Sequence, residues 1–380
     1  MIPYGRQDIT QDDIDAVSEV LRSDYLTQGP AVPRFEAALT AATGAAHAVA
    51  VNSATSALHI ACLALDLGPG DRLWTSPNTF VASANVGRLC GADVDFVDID
   101  ADTFNMDPAK LAAKLETAER DGTLPKVLMP VHMCGQSADM EAIGTLARRY
   151  GIRVVEDASH AIGGSYKDKP VGACPHSDIT VFSFHPVKIV TTAEGGAAVT
   201  NDPELAARMD RLRSHGVTRD ADLMTTESEG GWYYQMLELG LNYRMTEMQA
   251  ALGVSQMGRL ASYVDHRAAL ADRYDDVLGE LPLDRPGRLP DAGSSWHLYV
   301  IRVAAERRRE VFDHLRASGI GVNVHYIPVH TQPYWQAQGF RPGDFPESET
   351  YYSRAISIPV FGTMTEDQQD EVVARLREML

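Results

Sequence analysis

Short, largely apolar runs alternate with stretches of helical periodicity through the first two-thirds of the chain. Ala46–Val51, Arg72–Thr75, Val94–Asp98, Val127–Val131, Arg153–Glu156, Ile179–Phe184 and Ala197–Thr200 are bounded by turn residues and are predicted strands. Helices are expected between them: Ser53 to about Asp66, Phe80 to Cys90, Asp107 to Ala118, Ala138 to Tyr150, and another beginning at Asp202–Pro203. Strands alternating with helices imply βαβ units, hence an α/β fold whose mostly parallel sheet is sandwiched by helices.

The pattern then changes. Met245 to Leu278 reads as one long helical region, and Pro282–Ser295, with three prolines and two glycines, reads as a linker. Trp296–Val303 alternates like a half-buried strand, Glu306–Ser318 is amphipathic, and Gly321–His325 is a further predicted strand. Met364–Leu380 is a closing helix with acids early and arginines late, as the helix dipole favours. The expected division is a large domain over residues 1–260 and a smaller α+β domain over residues 261–380.

Composition narrows the function classes. The formal net charge is −18, from 52 acidic against 34 basic residues, so a nucleic-acid backbone would be repelled. No apolar run is long enough for a bilayer, and Met1–Asp13 lacks the basic and apolar regions of a signal peptide. The four cysteines (Cys62, Cys90, Cys134, Cys174) are scattered without ligand spacing, so they are expected as buried thiols in a reducing, cytoplasmic setting, with no metal site.

Lysines are scarce. Of the six, Lys110, Lys114, Lys126, Lys167 and Lys169 lie in polar helical, strand-edge or turn settings, whereas Lys188 follows Val181-Phe-Ser-Phe-His-Pro-Val187. Apolar surroundings depress an ammonium pKa and make the amine a usable nucleophile; a lysine snorkelling from a strand end is the bland alternative. Asp157, at the end of an apolar strand, is either a helix cap or the buried acid that a pyridine-ring cofactor needs at its ring nitrogen. Ser183 and Lys188 one strand later favour the second reading. Val51-Asn-Ser-Ala-Thr-Ser-Ala-Leu58 runs from a strand into a small-residue helix start, where the amides of Ala54 and Thr55 suit a phosphate dianion. Phe80 offers an aromatic face, or is simply core. No dinucleotide or P-loop glycine motif is present.

Taken in order, Tyr25-Leu-Thr-Gln-Gly29, Asn52-Ser-Ala-Thr-Ser56, Glu156-Asp-Ala-Ser-His160, Ser183-Phe-His-Pro-Val-Lys188, Thr192-Ala-Glu-Gly-Gly196, Arg213-Ser-His-Gly216, Gly240-Leu-Asn-Tyr-Arg-Met245 and His325-Tyr-Ile-Pro-Val-His330 resemble the sugar aminotransferases of the DegT/DnrJ/StrS family. The resemblance spans essentially the whole chain. It implies the fold-type I architecture and pyridoxal 5′-phosphate (PLP), with pyridoxamine 5′-phosphate as its intermediate form. It makes Lys188 the Schiff-base lysine and general acid/base, pairs Asp157 with the pyridine nitrogen and sets His160 near the phenolic oxygen. Ser183, Ala54 and Thr55 would hold the phosphate, Phe80 would stack on the ring, and Asn242 would arrive from the partner of a homodimer. Many relatives carry Gln where this chain has His160. Thr27, Gln28, Arg244, His325, Tyr326 and His330 are the implied sugar-nucleotide contacts, and L-glutamate is the implied amino donor.

The finer resemblance, through Leu26-Thr-Gln-Gly29, Ser159-His-Ala-Ile-Gly163 and Ser183-Phe-His185 leading to Lys188-Ile-Val-Thr-Thr-Ala-Glu-Gly-Gly196, is to the branch that aminates C4 of a UDP-linked 4-keto-6-deoxy-N-acetylhexosamine in pseudaminic acid biosynthesis. Other nucleotide 4-keto-sugars, dTDP-4-keto-6-deoxyglucose or UDP-4-keto-arabinose, are alternatives. A sugar 3-dehydratase of the same fold would carry His at the Lys188 position. A non-catalytic PLP-binding regulator would need an added DNA-binding segment, for which no room is expected before Ile14 or after Leu380.

Overall fold

The computed structural model describes residues 1–380. Seven strands form one sheet in the order His47–Val51, Gly196–Thr200, Ile179–Ser183, Arg153–Asp157, Val127–Met129, Arg72–Thr75 and Asp93–Phe96. All pairs from Ile179–Ser183 to Asp93–Phe96 are parallel, and Gly196–Thr200 alone runs antiparallel to its neighbours. The Ile179–Ser183 and Gly196–Thr200 strands are buried at every residue, as strands covered on both faces must be. Helices Ala54–Ala64, Ala82–Leu89 and Pro203–Arg213 close one apolar core; Ala31–Thr43 and Glu247–Met257 contribute to another, and Pro108–Asp121 and Met140–Arg149 to a third. This is the helix-sandwiched, mostly parallel sheet expected from the alternating pattern, and it agrees with the fold-type I architecture that the resemblance implies.

A further core gathers Leu270, Tyr274, Tyr299, Ile301, Val311, Ile356, Val372 and their neighbours around the antiparallel pair Tyr299–Arg302 and Ala355–Ile358. Helix Leu260–Val277 joins the two regions: Leu260 and Tyr263 pack with the sheet-side core, and Leu270 onwards with the C-terminal one.

Three expectations are corrected. The long helical region is two helices, Glu247–Met257 and Leu260–Val277, because Arg259 leaves helical geometry (φ −110°, ψ 4°) and donates to Asp13 at 2.6 Å. Gly321–His325 forms no strand, only a single bridge at Asn323–Ser357, where the side chains of Asn323, His325 and Ser357 are tied to one another. Pro282–Ser295 is a pinned connection rather than a free linker: Ala292–Gly293 pairs with Ser165–Tyr166, and Asp284 bridges Arg302. Helices Gln11–Arg22 and Ala31–Thr43 and the Ala355–Ile358 strand were not anticipated from the pattern.

Candidate active site

Two neighbouring parallel strands, Arg153–Asp157 and Ile179–Ser183, end at one cleft of about 520 Å³. Asp157 and Ser183 are the terminal residues of neighbouring strands, and both line it. Alternation along Arg153–Asp157 sends the adjacent acid elsewhere. Glu156 lies away from the lining, accepting from His132 Nε2 at 2.6 Å, from Thr180 Oγ1 at 3.1 Å and from the Ser177 hydroxyl. Burial pushes the Glu156 carboxyl up, but those donors outweigh it and hold it below its ordinary value. The backbone amide of Ala138 donates to His132 Nδ1, which puts the His132 proton on Nε2, facing Glu156.

Asp157 is buried and its carboxylate is fixed from both sides. Ser83 Oγ donates to one oxygen at 2.6 Å; the Ser159 amide (3.1 Å) and hydroxyl (2.6 Å) donate to the other. Lys188 lines the same cleft, partly exposed, with Nζ 3.5 Å from His297 Nε2. Burial lowers the Lys188 pKa to about 7, against an opposing pull from Asp157. His160 is buried, with Nε2 3.1 Å from the Tyr326 hydroxyl, and burial together with Lys188 and His325 keeps it far below the usual imidazole range. His325, anchored by Ser357 Oγ at 2.8 Å, is pushed down to about 4 by burial and Lys188.

A phosphate cradle lies beside these groups. Helix Ala54–Ala64 begins after Ser53, whose hydroxyl accepts from the Ser56 amide at 3.1 Å. The amides of Ala54 and Thr55 stand at the open first turn, where a helix has no internal acceptors to offer, and both residues line the cleft. Gly196, paired with Ser183, lets the helix start approach this closely: a Cβ there would lie 2.4 Å from the Ala54 nitrogen. Phe80, 58% exposed, overhangs the same cleft, its ring 6.0 Å from that of Tyr326. An acid for a ring nitrogen, an amine, a dianion cradle and an aromatic face suit PLP in size and chemistry.

Of the residues expected at the site, Ala54, Thr55, Phe80, Asp157, His160, Ser183, Lys188, His325 and Tyr326 line this one cleft. His330 does not, which corrects its expected substrate contact: it is fully buried, bonded to Glu349 at 2.9 Å and packed edge-on against Phe345. Thr27, Gln28, Asn242 and Arg244 also lie outside the lining of their own chain's cleft. Thr27 bridges Thr246, Arg244 bridges Val51, and the Asn242 carbonyl accepts from Asn52 at 3.5 Å. The sequence reading missed His297, Ser83, Asn323 and Tyr4. Ser83 had a signal, since it sits one helical turn after Phe80; the other three come from distant segments and had none.

A sequence profile of the DegT/DnrJ/EryC1/StrS aminotransferase family matches residues 7–377. The chain belongs to this family. Within it, the chain is 40% identical to the spore coat polysaccharide biosynthesis protein SpsC of Bacillus subtilis, over all of this chain and 97% of that one. Among solved structures, Helicobacter pylori PseC, an aminotransferase involved in pseudaminic acid biosynthesis, superposes with a TM-score of 0.90 at 30% identity, over 100% and 98% of the two chains. Spr1654 of Streptococcus pneumoniae, assigned as a sugar aminotransferase, superposes in its PMP form with a TM-score of 0.91 at 30% identity, over 100% and 99%; its PLP form is also solved. The chain is therefore a PLP-dependent sugar aminotransferase, whose substrates are a nucleotide sugar and an amino donor. Its four cysteines are free and buried, and no helix is long and apolar enough to cross a membrane.

Proposed function

We propose that the protein moves an amino group from L-glutamate to the C4 ketone of a UDP-linked 4-keto-6-deoxy-N-acetylhexosamine, through a site shared between two copies of the chain. The observation that carries the chemistry is the Lys188–Asp157 pairing across one cleft, with the Ala54–Thr55 amides beside it. The choice of sugar rests on the Ser159–Gly163 and Lys188–Gly196 segments and on the structural similarity to PseC, whose pathway is pseudaminic acid.

PLP, when bound, supplies an electron sink for the charge that develops at the donor's Cα. Asp157, its carboxylate held by Ser83 and Ser159, would keep a proton on the ring nitrogen. The Ala54 and Thr55 amides and the Ser183 hydroxyl would bind the phosphate dianion, and Phe80 would cover one face of the ring. Lys188, its pKa brought down to about 7 by burial, would be the residue that anchors the cofactor as a nucleophile and, once freed, would move the proton taken from the donor's Cα. Its near-neutral amine accepts that proton readily and releases it as readily. His160 and His325, both held below the usual imidazole range by burial, would line the cleft as hydrogen-bonding groups rather than cations. Asn242 would reach the partner's phosphate, with Thr27, Gln28 and Arg244 on the same surface as sugar-nucleotide contacts.

The 40% identity to SpsC, a spore coat polysaccharide protein, favours a second reading with another nucleotide 4-keto-sugar. A substrate panel separates them. Purified protein with PLP and glutamate is offered the UDP-N-acetyl 4-keto-sugar, dTDP-4-keto-6-deoxyglucose and UDP-4-keto-arabinose, and amino-sugar formation is followed by mass spectrometry. Turnover of the first by wild type, with none in Lys188→Ala, is expected. Turnover of the others alone would reject the choice of sugar, and normal turnover by Lys188→Ala would reject the lysine.

A further inference from the structure

Behind Lys188 lies a histidine whose backbone is fixed from several directions. The Ser295 amide donates to the Gly135 carbonyl at 3.0 Å, and its hydroxyl donates to the His160 carbonyl at 3.0 Å. Trp296 adopts a left-handed conformation (φ 49°), and its carbonyl accepts from the fully buried Arg267 at 3.1 Å. The Leu298 amide donates to the Cys134 carbonyl at 3.2 Å. Gly135 leaves room for this segment, since a Cβ there would come within 2.8 Å of the Trp296 nitrogen and 2.9 Å of the His297 nitrogen.

His297 is carried on that clamp. It is 4% exposed, its ring centroid lies 4.4 Å from that of His160, and its Nε2 is 3.5 Å from Lys188 Nζ. Its Nδ1 is buried with no hydrogen-bond partner. A buried N–H without an acceptor is rarer and costlier than a buried lone pair without a donor, so the proton belongs on Nε2 and the lone pair on Nδ1. A charged lysine offers only N–H groups, which would meet that proton head-on; an uncharged amine offers a lone pair.

We propose that His297 is a positioning residue for Lys188: its Nε2–H donates to the lone pair of the uncharged amine and holds it, ready to accept a proton, until the donor's Cα proton displaces the bond. At 3.5 Å this bond is long, and so readily given up. The titratable groups around the pair are Asp157, His160, His325, Tyr326, Tyr4, His185 and Glu194 in the cleft lining, and Arg267, which acts on His297 through its charge. All of them remain in the variants below.

The test uses apoprotein and needs no turnover. With only six lysines, acetylation by acetic anhydride can be followed at Lys188 across pH by peptide mass spectrometry. In wild type the Lys188 midpoint should lie at about 7. His297→Phe keeps the bulk and removes the donor. Burial in a more apolar site would leave the midpoint unchanged or lower it, whereas losing a hydrogen bond to the neutral amine raises it. We expect a rise of about one pH unit, seen as about tenfold slower labelling on the acid side, with the other five lysines unchanged. His297→Gln, which retains an N–H, should return the midpoint toward wild type. A midpoint that stays or falls in folded His297→Phe overturns the proposal. If His297→Phe does not fold, 15N spectra of histidine-labelled wild-type apoprotein decide: a proton on Nε2 upholds it and a proton on Nδ1 overturns it. The inference rests on Lys188 being the cofactor lysine, but labelling requires no cofactor, so its failure is distinguishable from normal turnover by Lys188→Ala.

Discussion

A lysine brought to about 7 in the folded chain, from 10.5, binds fewer protons there than in the unfolded chain between those two pH values. Stability of the apoprotein should therefore rise with pH from about 7 to about 10.5, and the full cost of holding Lys188 is present below 7. Lys188→Met removes that cost. Allowing for the lysine's partial exposure, we predict a gain of about 2 kcal/mol at neutral pH, vanishing near pH 10.5, measured by urea unfolding of apoprotein. An unchanged difference across that range would show that Lys188 is not strained by burial. Asp157→Asn should lower turnover by at least about a hundredfold while preserving fold, because the amide cannot hold a proton on a ring nitrogen by charge. Lys188 and Asp157 were candidates in the sequence, one by its scarcity and the other by ending an apolar strand, but a snorkelling lysine and a helix cap explained each locally, and only their succession along the chain with Ser183 favoured a shared site. His297, 109 positions from Lys188, was not: a histidine in an alternating strand looks like any half-buried residue until the fold closes over it.

Among the elements, the sheet strands and their covering helices were legible because burial on both faces forces near-continuous apolar runs, as in Ile179–Ser183. The failures have a different cause. The break falls at Gly258–Arg259, where the glycine is the one local mark and the arginine bonds a carboxylate 246 positions away, and at Gly321–His325 a single bridge and a side-chain bond to Ser357 stand in place of a strand. Neither partner is visible locally. Gly196 shows how an element serves the site, because the absence of one Cβ sets how closely helix Ala54–Ala64 approaches the sheet. Gly196→Val should force the helix start away from Ser183, costing about 1–3 kcal/mol by overpacking. PLP affinity should fall by tenfold or more, read by equilibrium dialysis. Gly44→Ala, where an added Cβ meets nothing but a φ of 75° imposes strain, should lower stability and leave PLP affinity unchanged. Equal affinity losses in both variants would reduce the cradle to a general stability effect.

At the scale of the whole molecule, one exposed surface is apolar. Trp232, Met236 and Leu239 are 73%, 63% and 83% exposed, and they lie on the segment that leads into Asn242 and Arg244. Tyr25 and Leu26, also exposed, adjoin it through the Thr27–Thr246 bridge. Apolar area of this kind is expected to be covered, and a twofold-related copy would cover it while bringing Asn242 to the neighbouring cleft. The consequence can be read from mixed dimers. In such a twofold dimer Lys188→Ala alone would lack the lysine in both sites, and Asn242→Asp alone would set a carboxylate against both phosphates. In a dimer with one chain of each kind, one site carries both lesions, but the other combines an intact Lys188 with the partner's intact Asn242. After subunit exchange about half of the dimers are mixed, and one of their two sites is whole, so activity should return to about a quarter of wild type from two nearly inactive proteins. If each chain used its own Asn242, mixing would restore nothing, because every site would still carry one of the two lesions.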